Sequence, residues 1–166
     1  ALDVEASKGK ITDVMIDRLT LTKERIEGMA AGIRDVVMLP DPVGKVLARV
    51  ERPSGIVCEK TSVPMGVVAA LIPSTNPTST VMYKTLICLK AGNSIIISPH
   101  PNAFHSILET VKVVQKALEK CNAPQGLVQC ITTPTSQGRD TLLKDRRIGI
   151  ILATGVTMLF STVLSI

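Results

Sequence analysis

The sequence predicts an α/β fold: a Rossmann-like parallel sheet with flanking helices, preceded by N-terminal helices and a β-hairpin. Three observations carry this expectation. Val67, Val68, Ala69, Ala70, Leu71 and Ile72 form an apolar run without alternation, as expected of a strand covered on both faces. A helical pattern follows and then a second apolar run, Ile95-Ile96-Ile97, so strand, helix and strand make one right-handed crossover unit. Beyond it strand and helix patterns keep alternating, the order that builds a parallel sheet.

Taken in order, A-L-D-V-E-A-S-K at the start has the character of a helix tail, and residues 11–39 read as two helices. Thr22 is the cap of the second, followed by a charged first turn, and Ile26, Met29, Ala30, Ile33, Val36 and Val37 recur at helical spacing. Leu39-Pro40-Asp41-Pro42 ends it. Residues 44–60 alternate loosely around Arg52-Pro53-Ser54-Gly55, which predicts a hairpin within 44–62. Pro73 stops the first buried strand, and Asn76 before Pro77 reads as an N-cap with proline at the first helical position. That helix should reach about Ala91 and end at Gly92 in a left-handed cap. Residues 104–121 form an amphipathic helix with Ile107, Leu108, Val111, Val114, Ala117, Leu118 and Cys121 on one stripe, a pattern that marks core far more often than a binding face. Residues 127–132 read as a strand, 139–144 as a short helix and 148–153 as a last strand. The chain then divides into an N-terminal helical segment (1–43), a hairpin (44–62), a nucleotide-binding α/β domain (63–155) and an apolar tail (156–166).

Composition narrows the function classes. The 166 residues are 45% hydrophobic, ample for one packed core. A net charge of +5 is compatible with phosphate-bearing cofactors, although an ordinary solvated surface carrying a few extra lysines is the better account of it. With 2% aromatic residues and no Trp, a stacking platform for single-stranded nucleic acid is not expected. Cys58, Cys88, Cys121 and Cys130 form no C-x-x-C and have no histidine at metal spacing, so neither a metal site nor a redox dithiol is predicted, and reduced thiols of a cytoplasmic protein are the default. No signal-peptide pattern appears at the start. Residues 148–166 carry no charge and follow Arg146-Arg147, which by length alone permits a membrane anchor; Gly149, Thr154, Gly155, Thr157, Ser161, Thr162 and Ser165 argue against it.

The end of the first buried strand holds the informative chemistry. P-M-G-V-V, then I-P-S-T-N-P-T-S-T, L-K-A-G-N and I-I-I-S-P-H-P resemble the aldehyde dehydrogenase superfamily, most closely its CoA-acylating branch. Residues 17–47 with Arg52-Pro53-Ser54-Gly55 instead resemble glutamate-semialdehyde (γ-glutamyl phosphate) reductase, a branch of the same fold and thiol chemistry. The resemblance covers roughly residues 17–155.

Neither G-x-G-x-x-G nor G-x-x-x-x-G-K-[ST] is present, so a dinucleotide must be held by other groups. The resemblance implies NAD or NADP as cofactor, with CoA as co-substrate in the acylating branch, an aldehyde or acyl-CoA as substrate, and a homo-oligomer whose contacts use the hairpin strands. It implies that Ile72, Pro73, Ser74 and Thr75 lie beside the nicotinamide half, that Ser98, Pro99, His100 and Pro101 meet the adenosine, and that Thr154 and Gly155 open the pyrophosphate-facing turn. Thr75 falls at the place of the family's oxyanion donor and Asn76 is next to it, so either could donate. His100 taken alone reads as a structural surface histidine. The family's nucleophilic thiol lies beyond the turn matched by Thr154-Gly155, where Val156 replaces a usual small residue. No catalytic residue is therefore assigned, all four cysteines are expected to be inert, and the chain alone is expected to lack dehydrogenase activity. Two other readings stand beside the CoA-acylating one: a glutamate-5-semialdehyde dehydrogenase of proline biosynthesis, and a non-catalytic nucleotide-binding or assembly module.

Overall fold

The computed structural model of the chain describes residues 12–154; residues 1–11 and 155–166, including Gly155 and the apolar tail, lie outside the described residues. Two helices open it, α1 (Asp13–Leu19) and α2 (Lys23–Met38). The Thr22 hydroxyl accepts from the Arg25 backbone N–H at 3.3 Å, the cap expected from the sequence. Arg25 also reaches back to α1, donating to Asp17 Oδ2 at 2.9 Å and to the Thr20 carbonyl at 2.8 Å, which sets how the two helices meet. The apolar stripe of α2 is only half used. Val36 is buried, but Ile26 is 50% and Val37 65% exposed, because α2 packs on α3 (Pro77–Lys90) along one edge of the stripe. Lys90 donates to the Val37 carbonyl at 3.0 Å, placing a cation at the C-terminal end of α2.

The hairpin pairs β1 (Val46–Glu51) with β2 (Val57–Thr61) in antiparallel register. Its turn is the one expected: Gly55 sits at φ +83° and donates to the Arg52 carbonyl at 2.9 Å, a conformation that favours glycine. Arg49 bridges the strands to Glu59 at 2.9 Å. Every residue of both strands is exposed.

Four parallel strands follow, β3 (Val67–Ile72), β4 (Ser94–Pro99), β5 (Val128–Cys130) and β6 (Ile148–Leu152), in spatial order β5-β4-β3-β6. The uncharged stretch from 148 begins as the expected sheet strand, and no helix among the described residues is long and apolar enough to cross a membrane. β5 is shorter than the sequence suggests, with Ile131 adding one more bond to the Ile97 carbonyl before the chain turns away. Alternate residues of β3 enter two cores. Val68, Ala70 and Ile72 pack with Ile95, Ile97 and Val128 under α3 and α4 (Phe104–Lys120), while Ala69 and Leu71 pack with Leu143 of α5 (Ser136–Lys144). α5 begins earlier than its apolar pattern indicates, because Thr135 caps it by accepting from the Gly138 N–H at 3.1 Å.

The entry to β3 is fastened by Asn93. Its Oδ1 accepts from the N–H groups of Met65 at 2.6 Å and Gly66 at 2.9 Å, and its amide donates to the Ala91 carbonyl at 3.2 Å. Gly92, at φ +73°, both ends α3 and leaves room for Pro64, whose Cγ would lie 2.8 Å from any Cβ there. Replacing Asn93 with Ala leaves these groups without partners and should cost about 1–3 kcal/mol in urea denaturation. Thr85→Val, which removes a fully buried hydroxyl that has no hydrogen-bond partner, should be neutral or stabilising in the same measurement.

Candidate functional site

The order β5-β4-β3-β6 places β3 and β4 beside each other, while the chain after β5 crosses to the opposite edge to form β6. The connection leaving β3 runs to β4 on one side while β6 is laid down on the other, so the C-terminal ends of β3 and β6 flank the switch point where open α/β sheets take ligands. Pairing between β3 and β6 stops at Ala70 and Leu152, whereas Leu71 and Ile72 continue only against Ser98 and Pro99 of β4. A crevice opens where that pairing stops.

The strand ends bring most of the expected residues to one edge. Ile72 is buried and in register with Pro99, Leu71 with Ser98, and Thr154 follows the end of β6. Pro73 and Ser74 are half-buried and Thr75 is exposed. Ser98 is only 6% exposed, so a ligand meeting it must lie directly over the strand end. His100 is half-buried and caps the short 3₁₀ turn Pro101–Ala103: its Nδ1 accepts from the Asn102 N–H at 3.1 Å. That bond requires a lone pair on Nδ1 and leaves the proton of the neutral ring on Nε2. Burial lowers the His100 pKa from its ordinary value, which favours this neutral form. Gly155 lies outside the described residues.

Two cavities meet at the N-terminus of α3. One, of about 660 Å³, is lined by Asn76, Ser79, Thr80, Tyr83 and Lys84 of the helix side and by Leu152, Ala153 and Thr154 at the end of β6. The other, of about 480 Å³, lies between Asn76–Ser79 and the first two helices, with Arg18 and Arg25 in its wall. Asn76 lines both, and its side chain makes no cap hydrogen bond although it occupies the N-cap position. The sequence expectation is right about the position and wrong about the bond: Asn76 sits at φ −141°, ψ 63° and leaves its amide uncommitted to the helix. Of the two residues considered for an oxyanion, Asn76 borders these cavities and Thr75 borders neither.

Sequence reasoning missed Lys84. Val81, Lys84, Thr85 and Cys88 form the buried stripe of α3, with a lysine where an apolar residue is expected. Lys84 is 7% exposed, and its Nζ donates to the Leu71 carbonyl at 2.9 Å and to the Leu152 carbonyl at 2.7 Å. Desolvation pushes its pKa down to about 8, with the neighbouring Cys88 acting weakly the other way. The signal that could have found it is its spacing, three residues after Val81 and four before Cys88. Burial pushes Cys88 and Cys130 up to about 11, Cys58 is exposed on the hairpin, and Cys121, expected on the apolar stripe of residues 104–121, is instead exposed where α4 ends.

An open parallel sheet with its crevice at the switch point defines the chain as an α/β domain of the Rossmann-like type. Residues 18–165 match the aldehyde dehydrogenase family, and the chain belongs to that family. It is 41% identical over 140 residues to a γ-glutamyl phosphate reductase of Carboxydothermus hydrogenoformans, covering 84% of this chain and 33% of that protein. The crystal structure of γ-glutamyl phosphate reductase from Thermotoga maritima superposes with a TM-score of 0.91 at 25% identity, covering 99% of this chain and 40% of the other. An acetylating aldehyde dehydrogenase from Geobacillus thermoglucosidasius superposes with a TM-score of 0.73 at 31% identity, covering 99% and 36%. The chain spans about a third of the length of the curated relatives it matches, 33% in the first case. These likenesses reverse the order of the two readings that the strand-end motifs favour, and put the reductase branch ahead of the CoA-acylating one.

The Lys84 geometry carries a pH dependence with a definite sign. Between pH 8 and 10.5 the unfolded chain keeps a proton on Lys84 that the folded chain has released, so the lysine's contribution to stability rises with pH across that window. Cys88 and Cys130 act oppositely between pH 9 and about 11, where only the unfolded chain has lost their protons. Lys84→Met removes the first effect, together with the smaller influence by which Lys84 lowers Cys88. Wild type should gain about 1–3 kcal/mol on the variant from pH 7.5 to 10 in chemical denaturation.

Proposed function

We propose that this chain supplies cofactor-binding elements of an NAD(P)-dependent reductase that interconverts an acyl phosphate and its aldehyde, of the γ-glutamyl phosphate and glutamate 5-semialdehyde type. The observation that carries this reading is the combined likeness to γ-glutamyl phosphate reductases, 41% identity over 84% of the chain and a TM-score of 0.91 over 99% of it. In the reductive direction the carbonyl carbon gains a hydride, the bond to phosphate breaks, and an aldehyde and free phosphate leave. A reduced nicotinamide cofactor supplies that hydride when bound.

The residues fit such a cofactor because three strand ends, the uncommitted Asn76 amide and the loop starting at Thr154 converge on one edge. Ile72, Pro73, Ser74 and Thr75 border the nicotinamide half, and Ser98, Pro99, His100 and Pro101 the adenosine half. The Asn76 amide is the donor to the substrate's carbonyl oxygen, where developing charge is stabilised without reorganisation. Thr154 and Gly155 open the turn toward the pyrophosphate. The thiol that attacks the carbonyl is not assigned among the four cysteines; neither raised thiol is a ready nucleophile. Self-association through the hairpin belongs to the same proposal, supported by two strands exposed along their whole length.

A second reading is favoured by the S-P-H-P strand end and by the acetylating relative at 31% identity. In it aldehyde, CoA and NAD give acyl-CoA and NADH, with one adenosine groove used by both nucleotides in turn.

Calorimetry of the 166-residue chain with NADP, NAD and CoA separates the two. The reductase reading expects a dinucleotide to bind with no competition from CoA, and CoA displacing it would transfer the assignment to the acylating branch. His100→Asn, which can keep the cap, should bind within about twofold of wild type, and His100→Ala should lose about tenfold, ~1.4 kcal/mol. Turnover is expected from none of these, and an active chain would refute the placement of the thiol.

A further inference from the structure

The geometry points to Lys84 as the positioning residue of the crevice: its ammonium ties the diverging ends of β3 and β6 together and holds the ligand-facing loops at their working separation. Three observations converge on it. First, the β3–β6 ladder ends at Ala70 and Leu152, yet the carbonyls of Leu71 and Leu152 still point to a shared donor. A buried carbonyl beyond the end of a ladder loses free energy unless it is hydrogen-bonded. Lys84 Nζ takes that place at 2.9 Å and 2.7 Å, acting as one further rung between strands that have begun to separate.

Second, the loops set by this rung are those that carry the site. Leu71 lies two residues before Pro73, and Leu152 immediately precedes Ala153 and Thr154 in the cavity wall. Third, Lys84 lines the same cavity as Asn76 and belongs to the same helix, so one rigid element fixes the amide, the cation and both strand ends relative to one another. A lysine buried among Val81, Thr85 and Cys88 is an expensive way to fill a core position. Packing alone would be served by methionine; what methionine cannot do is donate to two carbonyls on different strands.

The tie itself is testable without any ligand, while its effect on affinity rests on the dinucleotide reading above. In the wild-type chain, NMR should show slowly exchanging Lys84 ammonium protons and correlations across hydrogen bonds from Nζ to the carbonyl carbons of Leu71 and Leu152. Free exchange with neither correlation would overturn the proposal whatever any variant does. In Lys84→Met, amide exchange corrected for global stability should accelerate about tenfold or more over residues 71–76 and 151–154, with β5 and α4 unchanged. A uniform change throughout the sheet would reduce Lys84 to a general contributor to stability and sink the positioning role. Where the wild type binds NADP or NAD, Lys84→Met should weaken it about tenfold at a temperature at which both are folded. Binding that survives the loss of strand-end protection overturns the functional half of the inference. A chain that binds no dinucleotide but shows both correlations refutes the proposed function and leaves the tie in place.

Discussion

Everything in this domain hangs on β3 having partners on both edges and cores on both faces. Its residues alternate between the cluster under α3 and α4 and the smaller cluster under α5, so its side chains are committed in both directions. Its backbone is committed as well, to β4 along its full length and to β6 for part of it. A strand so enclosed has no route to water for an unpaired carbonyl. The crevice that a doubly wound order creates is therefore also a defect in the hydrogen-bond ladder, and the molecule closes it with the Lys84 side chain from the overlying helix.

That solution places a cation in the interior beside the candidate site. Desolvation opposes the charge and the neighbouring Cys88 favours it, leaving a pKa of about 8. Desolvation acts on the thiols of buried Cys88 and half-buried Cys130 in the opposite sense, raising both to about 11 so that they stay protonated near neutral pH. One apolar interior thus holds its thiols protonated while its single buried lysine among the described residues bonds two strand carbonyls at the edge of the cavity. The entrance to β3 is handled by a neutral group instead. Asn93 binds Met65, Gly66 and Ala91, and Gly149 leaves to the Met65 carbonyl the space that a Cβ would fill.

The outer elements tell a different story. The hairpin strands are exposed throughout, and α2 leaves Ile26 and Val37 in water. Such surfaces are unusual for a self-sufficient core and agree with a chain that spans about a third of its relatives, 33% of one of them. The sheet and its two layers of helices, by contrast, close around β3 without further help.

Element order, strand pattern, the hairpin turn at Gly55 and the Gly92 helix stop were legible in the sequence, because each follows from local rules: apolar runs for two-faced strands, glycine for positive φ, proline for termination. The crevice at the end of β3 was legible too, since a strand followed by a polar turn and a capped helix leaves few other places for it. Three things were not. The end of the β3–β6 ladder at Ala70 depends on its register with Leu152, far along the sequence. Asn76 looked like an ordinary cap, and only its tertiary backbone conformation frees the amide. Lys84 was passed over in the apolar helix, because local pattern says which face a residue occupies but not which carbonyls another strand brings to meet it. Sequence determined the elements and the edge at which a ligand would bind; tertiary structure decided which polar groups face that edge, because hydrogen bonding between distant segments is settled only when the strands are in register.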